Sequence, residues 1–192
     1  MLIGVVGQIA VGKGVLKDYL INNFGFSSFS LSSIVHDEAK KRGIKNITRK
    51  DLQDIGNDLR KKYGRDILAK MALEIIKKSK NSRWVIEGIR NTAEVEFLKK
   101  QKNFSLIGIK SIRALRFKRL LDRKKPWDPK TWNEFLKVDR RDLGKGEKNT
   151  GQQVGKCLAY CDYVLTNNKD KKDFERKVKK LLTKILSFNN TF

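Results

Sequence analysis

Leu2-Ile3-Gly4-Val5-Val6-Gly7-Gln8-Ile9-Ala10-Val11-Gly12-Lys13-Gly14 decides how this chain is read. Leu2 to Val6 form a short apolar run, the pattern of a strand buried on both faces. Gly7 to Lys13 then read G-x-x-x-x-G-K, and an amphipathic segment, Val15 to Phe24, follows. Strand, Gly-rich loop and helix in that order are the context in which such a loop wraps a phosphate chain. Glycines let consecutive backbone N–H groups turn inward, the helix N-terminus adds partial positive charge, and Lys13 reaches the outer phosphates. Gly7, Gln8, Ile9, Ala10, Val11, Gly12, Lys13, Gly14 and Val15 are therefore the expected ATP-contacting segment, a phosphate-binding loop (P-loop).

Outward from this loop the pattern alternates. Strand-like runs fall at Leu2–Val6, Ser28–Leu31, Arg83–Glu87, Phe104–Lys110 and Asp162–Thr166. Helical periodicity occupies about 13–24, 32–42, 51–63, 66–80, 92–101, 112–123, 131–141 and 171–187. Alternation of this kind predicts an α/β fold: a five-stranded parallel sheet in a three-layer arrangement, with helices on both faces and right-handed crossovers. Ligands in such sheets bind beyond the carboxyl ends of the strands. That edge gathers the P-loop, Ser32, Ser33 and the Glu87–Arg90 turn. The chain of 192 residues reads as one domain over 1–192. Its core is expected at 1–31, 83–123 and 151–188, with acceptor-binding helices at about 32–80 and a short lid at about 124–150. Thr131, with Glu134 three residues on, is the expected cap of the helix inside that lid. Asn189–Phe192 is a polar tail.

Composition sets bounds. No apolar run approaches the ~20 residues a bilayer span needs. The N-terminal apolar run belongs to the first strand rather than to a signal peptide. Two cysteines, Cys157 and Cys161, and a single histidine favour reduced thiols over a disulfide or metal site, so a cytoplasmic location is expected. The formal net charge of +23 attracts polyanions. Its lysines are dispersed along helix faces, so nucleic acid is a permitted partner rather than a required one; no membrane partner is expected.

Further side chains carry candidate chemistry. Glu87 ends the third strand, where a carboxylate can hold the waters of Mg²⁺, and Arg90 can clamp a phosphate with its planar fork. A plain strand-end ion pair between Glu87 and Arg90 or Arg83 is the competing reading. Gln53, Asn57 and Arg60 share one helix face, suited to an acceptor's base edge and phosphate or to water alone. Arg113, Arg116, Arg119 and Arg123 form a stripe leading to the lid. Arg119 and Arg123 are expected to stabilise a transferring phosphoryl group, with lid Arg140 and Arg141 as further candidates; Arg113 and Arg116 are expected on a solvated face.

Taken together, these motifs resemble the P-loop nucleotide kinases, the nucleoside monophosphate kinases and their dephospho-CoA kinase relatives, over nearly the whole length. Gly14 matches the G-K-G of adenylate kinases, in which metal is held by phosphates and waters. Val15 stands where those enzymes have Thr. Glu87-Gly88-Ile89-Arg90 is similar to their D-G-F-P-R, and His36 stands where they present an Arg to the acceptor phosphate. Cys161-Asp162-Tyr163-Val164-Leu165-Thr166-Asn167 resembles a stretch of dephospho-CoA kinases, which places Asn167 beside adenine. The acid those kinases carry after the second strand is missing, since Leu31-Ser32-Ser33 stands there. Asp128-Pro129-Lys130-Thr131-Trp132-Asn133-Glu134-Phe135, with Asp139-Arg140-Arg141 behind it, is similar to uncharacterised kinase-like proteins. The resemblance implies an ATP-dependent, Mg²⁺-assisted phosphotransferase acting on a nucleoside or deoxynucleoside monophosphate. A dephospho-CoA kinase-like enzyme, an RNA- or ribosome-associated ATPase and a non-catalytic nucleotide sensor are the alternatives.

Overall fold

The computed structural model describes the backbone of residues 1–189 and the side chains of residues 1–186; the last residues of the polar tail lie outside it. Five parallel strands form one sheet: β1 (Leu2–Val6), β2 (Ser27–Ser30), β3 (Trp84–Glu87), β4 (Phe104–Lys110) and β5 (Tyr163–Thr166), in the spatial order β2-β3-β1-β4-β5. β1 is central because its five residues are all buried, and it pairs β3 on one side and β4 on the other, with Leu2 opposite both Trp84 and Phe104.

Alternation along the strands divides the interior. Ile3, Val5, Val85, Ile107 and Ile109 face α1 (Lys13–Phe24) and α9 (Lys171–Asn189) in one buried cluster. Leu2, Val6, Ile86 and Leu106 face the other way. There they meet α2 (Leu31–Lys41), α3 (Arg49–Tyr63), α4 (Ile67–Lys77) and α5 (Thr92–Lys99). A small third cluster, Ile9, Leu120 and Phe135, joins the P-loop to α6 (Arg113–Arg123) and α7 (Trp132–Leu143).

Local chemistry sets the ends of the elements. Reciprocal capping boxes start α3 (Thr48 with Asp51), α5 (Asn91 with Glu94) and α7 (Thr131 with Glu134). Most element ends shift by one to three residues from the sequence reading, and two differences have a clear cause. β2 runs one residue earlier than expected, because Leu31 opens α2 and buries its side chain in the core. A short helix, α8 (Val154–Cys157), and a single 3-10 turn at Leu158–Tyr160 occupy what periodicity left as a connection. Cys157 is buried there and Cys161 half-buried; both are free thiols, and burial pushes the Cys161 thiol up to about 11. Among the described residues no helix is long and apolar enough to cross a membrane.

Candidate active site: a cationic cleft around the P-loop

The P-loop is held by backbone geometry that its sequence makes possible. Gly12 takes φ +101°, and a Cβ there would stand 2.4 Å from the Asn167 amide nitrogen. At Gly7 a Cβ would stand 2.7 Å from the Ile109 carbonyl oxygen. Both positions therefore need glycine for close packing against neighbouring strands. Asn167 donates from Nδ2 to the Val11 carbonyl at 2.8 Å, and its own oxygens accept from Arg119 at 3.1 Å. Asn167 and Arg119 thus form a brace from the β5 end onto the loop, and Arg119 also lines the cleft.

Lys13 lies folded against its own loop, donating to the Gly7 carbonyl at 2.7 Å and the Gln8 carbonyl at 2.9 Å. Burial, helped by the Arg90 cation, drops its ammonium to about 7. A phosphate chain would supply the anion that this lysine lacks. Gln8 donates to Asp139 at 2.5 Å, which fastens the loop to α7. Ile9 and Val11 are buried in the core, and Val15 packs on the cluster beneath α9, so its side chain faces away from the cleft. At Gly14 a Cβ would meet nothing within 4 Å.

Around this loop opens a cleft of about 610 Å³. Lys13, Lys17, Lys40, Lys125, Arg49, Arg90, Arg119 and Arg123 line it, against only two carboxylates, Asp37 and Glu87. Glu87 ends β3 half-buried, and its carboxylate makes no hydrogen bond or ion pair among the described residues, so the strand-end pairs with Arg90 or Arg83 do not form. Ser33 also lines the cleft, its hydroxyl donating to the Ser30 carbonyl at 2.7 Å. His36 stands at the rim, its ring 4.7 Å from that of Trp127. Burial and the Arg49 cation hold its imidazole below the usual histidine value.

Other expected site residues are gathered elsewhere. Gln53 and Arg60 are buried at the end of a narrow recess that shares Ser32, Arg49, Gly88 and Arg90 with the cleft. Arg60 pairs with Glu94 at 2.8 Å, and Gln53 donates to Asp142 at 2.9 Å. Asn57 turns to Glu147 at 2.6 Å, outside the cleft. The wet-face alternative for this stripe is therefore corrected for Gln53 and Arg60, whose faces are closed by α5, α7 and the loop after it. Arg141 pairs with Glu147 and Asp54, and Arg140 is exposed on the far side of α7. Neither lines the cleft.

The arginine stripe also divides. Arg116, expected in solvent, is 1% exposed: it makes a two-pronged pair with Asp139 at 2.6 and 3.1 Å and donates to the Ile9 carbonyl. Arg113 meets the same carboxylate at 2.9 Å. Arg123 forks onto Asp128 at 2.5 and 2.9 Å. Sequence reasoning missed Arg49, the first residue of α3, which lines the cleft and meets Asp128 at 2.8 Å. It missed the three aspartates too. Phe135, Asp139 and Asp142 fall at i, i+4 and i+7 on α7, so acids on the apolar face of an amphipathic helix were the available signal.

A family model described as an AAA domain matches residues 6–134. A UPF0200 protein of Pyrococcus horikoshii is 36% identical, covering 97% of this chain and 98% of its own length. The chain is an AAA-domain protein of the UPF0200 family. Among solved structures, the shikimate kinase of Aquifex aeolicus superposes with a TM-score of 0.53 at 17% identity, covering 100% of this chain and 99% of that one. The dephospho-CoA kinase of Campylobacter jejuni gives 0.51 at 19% identity, with 98% of each chain covered. These likenesses show that this UPF0200 chain has the P-loop kinase fold.

Proposed function

We propose that this protein moves the γ-phosphate of ATP to a nucleoside or deoxynucleoside monophosphate, in the cytoplasm and with Mg²⁺. The observation that carries the reading is the charge of the cleft: eight cationic side chains and two carboxylates around a P-loop. Such a surface accommodates two polyphosphate-bearing ligands at once, and phosphoryl transfer is catalysed chiefly by placement and by stabilising charge on the moving group. In this reading Lys13, Arg119 and Arg123 meet the nucleotide side, and Arg90 the acceptor side; all four line the cleft. An acceptor phosphate is already a competent nucleophile at neutral pH, so the scarcity of carboxylates in the cleft suits it.

Bound Mg²⁺ would supply positive charge against the charge that develops on the moving group. The residues fit an indirect role for it. Of the two carboxylates that line the cleft, Glu87 is the one whose charge acts on Lys13, Gly14 offers no hydroxyl, and no group of three metal-ligating side chains occurs among the described residues. A hydrated ion arriving with the nucleotide and touching Glu87 through water matches that donor set. ADP formation from ATP and Mg²⁺, screened over the eight common ribo- and deoxyribonucleoside monophosphates, dephospho-CoA and RNA, tests the proposal. Stimulation by one monophosphate supports it; stimulation by RNA or dephospho-CoA alone, or none, refutes it.

A further inference from the structure

Five buried side-chain polar atoms lack a partner among the described residues, and four of them gather in one place. They are Arg49 Nε, Gln53 Oε1, Arg60 Nη1 and Asp142 Oδ2. Arg49, Gln53 and Arg60 line the recess that opens inward from the cleft, and Asp142 accepts from Gln53 and Arg90 on its wall. Leaving such groups unmatched costs about 1–3 kcal/mol each. Concentrated at the inner end of a cleft, they mark a place where a ligand completes the bonding.

The arginines there are aimed rather than loose. Asp142 lies fully buried and takes Arg90 Nη1 at 2.6 Å, which leaves Arg90 Nε and Nη2 without an acceptor among the described residues. Asp128, also buried, takes Arg49 Nη2 at 2.8 Å and leaves Nη1 and Nε of Arg49 free in the same sense. Each guanidinium is held through one nitrogen and keeps further N–H groups for another acceptor. Both arginines line both the cleft and the recess, so the two guanidiniums stand where the two spaces meet. Burial alone would raise the Asp142 carboxyl, but Arg90 and Arg49 hold it below its ordinary value, so it stays an anion under them. The recess itself, about 20 Å³, has room for one oxygen-sized group.

We propose that Arg49 and Arg90 form a second anion clamp, separate from the P-loop, that takes a phosphate-sized oxyanion at the neck of the recess, and that the buried carboxylates Asp128 and Asp142 are the positioning residues that aim it. Gln53 and Arg60 then meet the single oxygen that enters the recess. This deepens the kinase reading and rests on it for the identity of the anion as the acceptor's phosphate. It also gives the segment between β4 and β5 a second duty: its aspartates set the angle of arginines that belong to the core and to α3.

Inorganic phosphate is the probe. The full-length protein, with its P-loop saturated by a non-hydrolysable ATP analogue and Mg²⁺, is titrated with phosphate in a calorimeter. One further phosphate is expected to bind. Arg49→Met and Asp142→Asn are each expected to weaken it at least tenfold while the affinity for the analogue stays within twofold. Adding Asp142→Asn to Arg90→Ala is expected to cost less than Asp142→Asn costs alone, because Asp142 acts partly through Arg90 and partly through Gln53; an undiminished loss in the double variant would make Asp142 merely structural and overturn its role. No phosphate uptake by the wild type, or wild-type affinity in Arg49→Met, would overturn the clamp. If the clamp binds phosphate and no monophosphate is phosphorylated, the inference stands and the proposed acceptor class falls.

Discussion

The two walls of the cleft are built on opposite principles. The P-loop wall is made of main chain: glycines at φ values or packing distances that exclude other residues, one lysine, and a helix start. The facing wall is made of side chains: arginines from β3's end, α3 and α6, each fastened to an aspartate from the segment 128–142. A main-chain site needs a few residues in strict local order, so it is compact in sequence. A side-chain site of this kind needs partners far apart, as with Arg49 and Asp128, separated by 79 positions. Its geometry is carried by buried ion pairs, which are costly to break singly.

The sharpest break of this contrast comes from Lys13→Ala. With the phosphate cradle otherwise intact, phosphoryl transfer is expected to fall about 10³-fold, while circular dichroism and melting stay close to wild type. Retained turnover would move the chemistry away from the main-chain wall.

Next in size is the buried pair beneath the loop. Removing one partner in Arg116→Ala should destabilise the fold by about 3–5 kcal/mol, read from denaturant midpoints. Arg116→Met/Asp139→Leu should recover most of that stability, yet bind ATP more weakly, since Gln8 loses its acceptor. If the double variant binds ATP as wild type does, α7 does not steady the P-loop.

A subtler difference is electrostatic. Lys13, held near 7, is largely neutral at pH 8 without nucleotide, and an anion bound beside it raises its proton affinity. ATP binding at pH 8 should therefore take up close to one proton, and much less at pH 6. Calorimetry in buffers of different ionisation enthalpy measures this directly. The linkage sign for folding follows: a lysine depressed in the native state releases its proton there first. Its contribution to stability rises as pH climbs from about 7 towards the unfolded value of 10.5, and no such rise is expected in Lys13→Met.

The smallest effects belong to positions outside both walls. Arg140→Ala, on the exposed face of α7, should change stability by less than about 0.5 kcal/mol and leave kinetics unaltered. Gly14→Ser, entering open space, should fold normally; a rise in Mg²⁺-dependent activity would show that the missing hydroxyl limits the enzyme.

What could be read from the residues follows the same division. Leu2–Val6 and Phe104–Lys110 coincide with their strands to the residue, because a central parallel strand is a nearly continuous apolar run. The P-loop was legible because its function is local. Arg116 was not: its spacing from Arg113 and Arg119 describes a stripe, but which side of that stripe meets Asp139 depends on where α7 lands. Gln53 and Arg60 were grouped by helical period and expected on an acceptor or in water; the water alternative fails because the residues that cover them come from α5 and α7. Arg49 escaped notice because the first residue of a well-capped helix draws no signal from periodicity.

One brace reaches beyond catalysis. The loop that grips nucleotide is completed by Asn167, late in the chain, and Gly12 packs against Phe174 later still. While the polypeptide is still emerging from the ribosome, the motif written in its first fourteen residues is therefore unfinished. The nascent protein can close this loop only once residues 167–174 have been made.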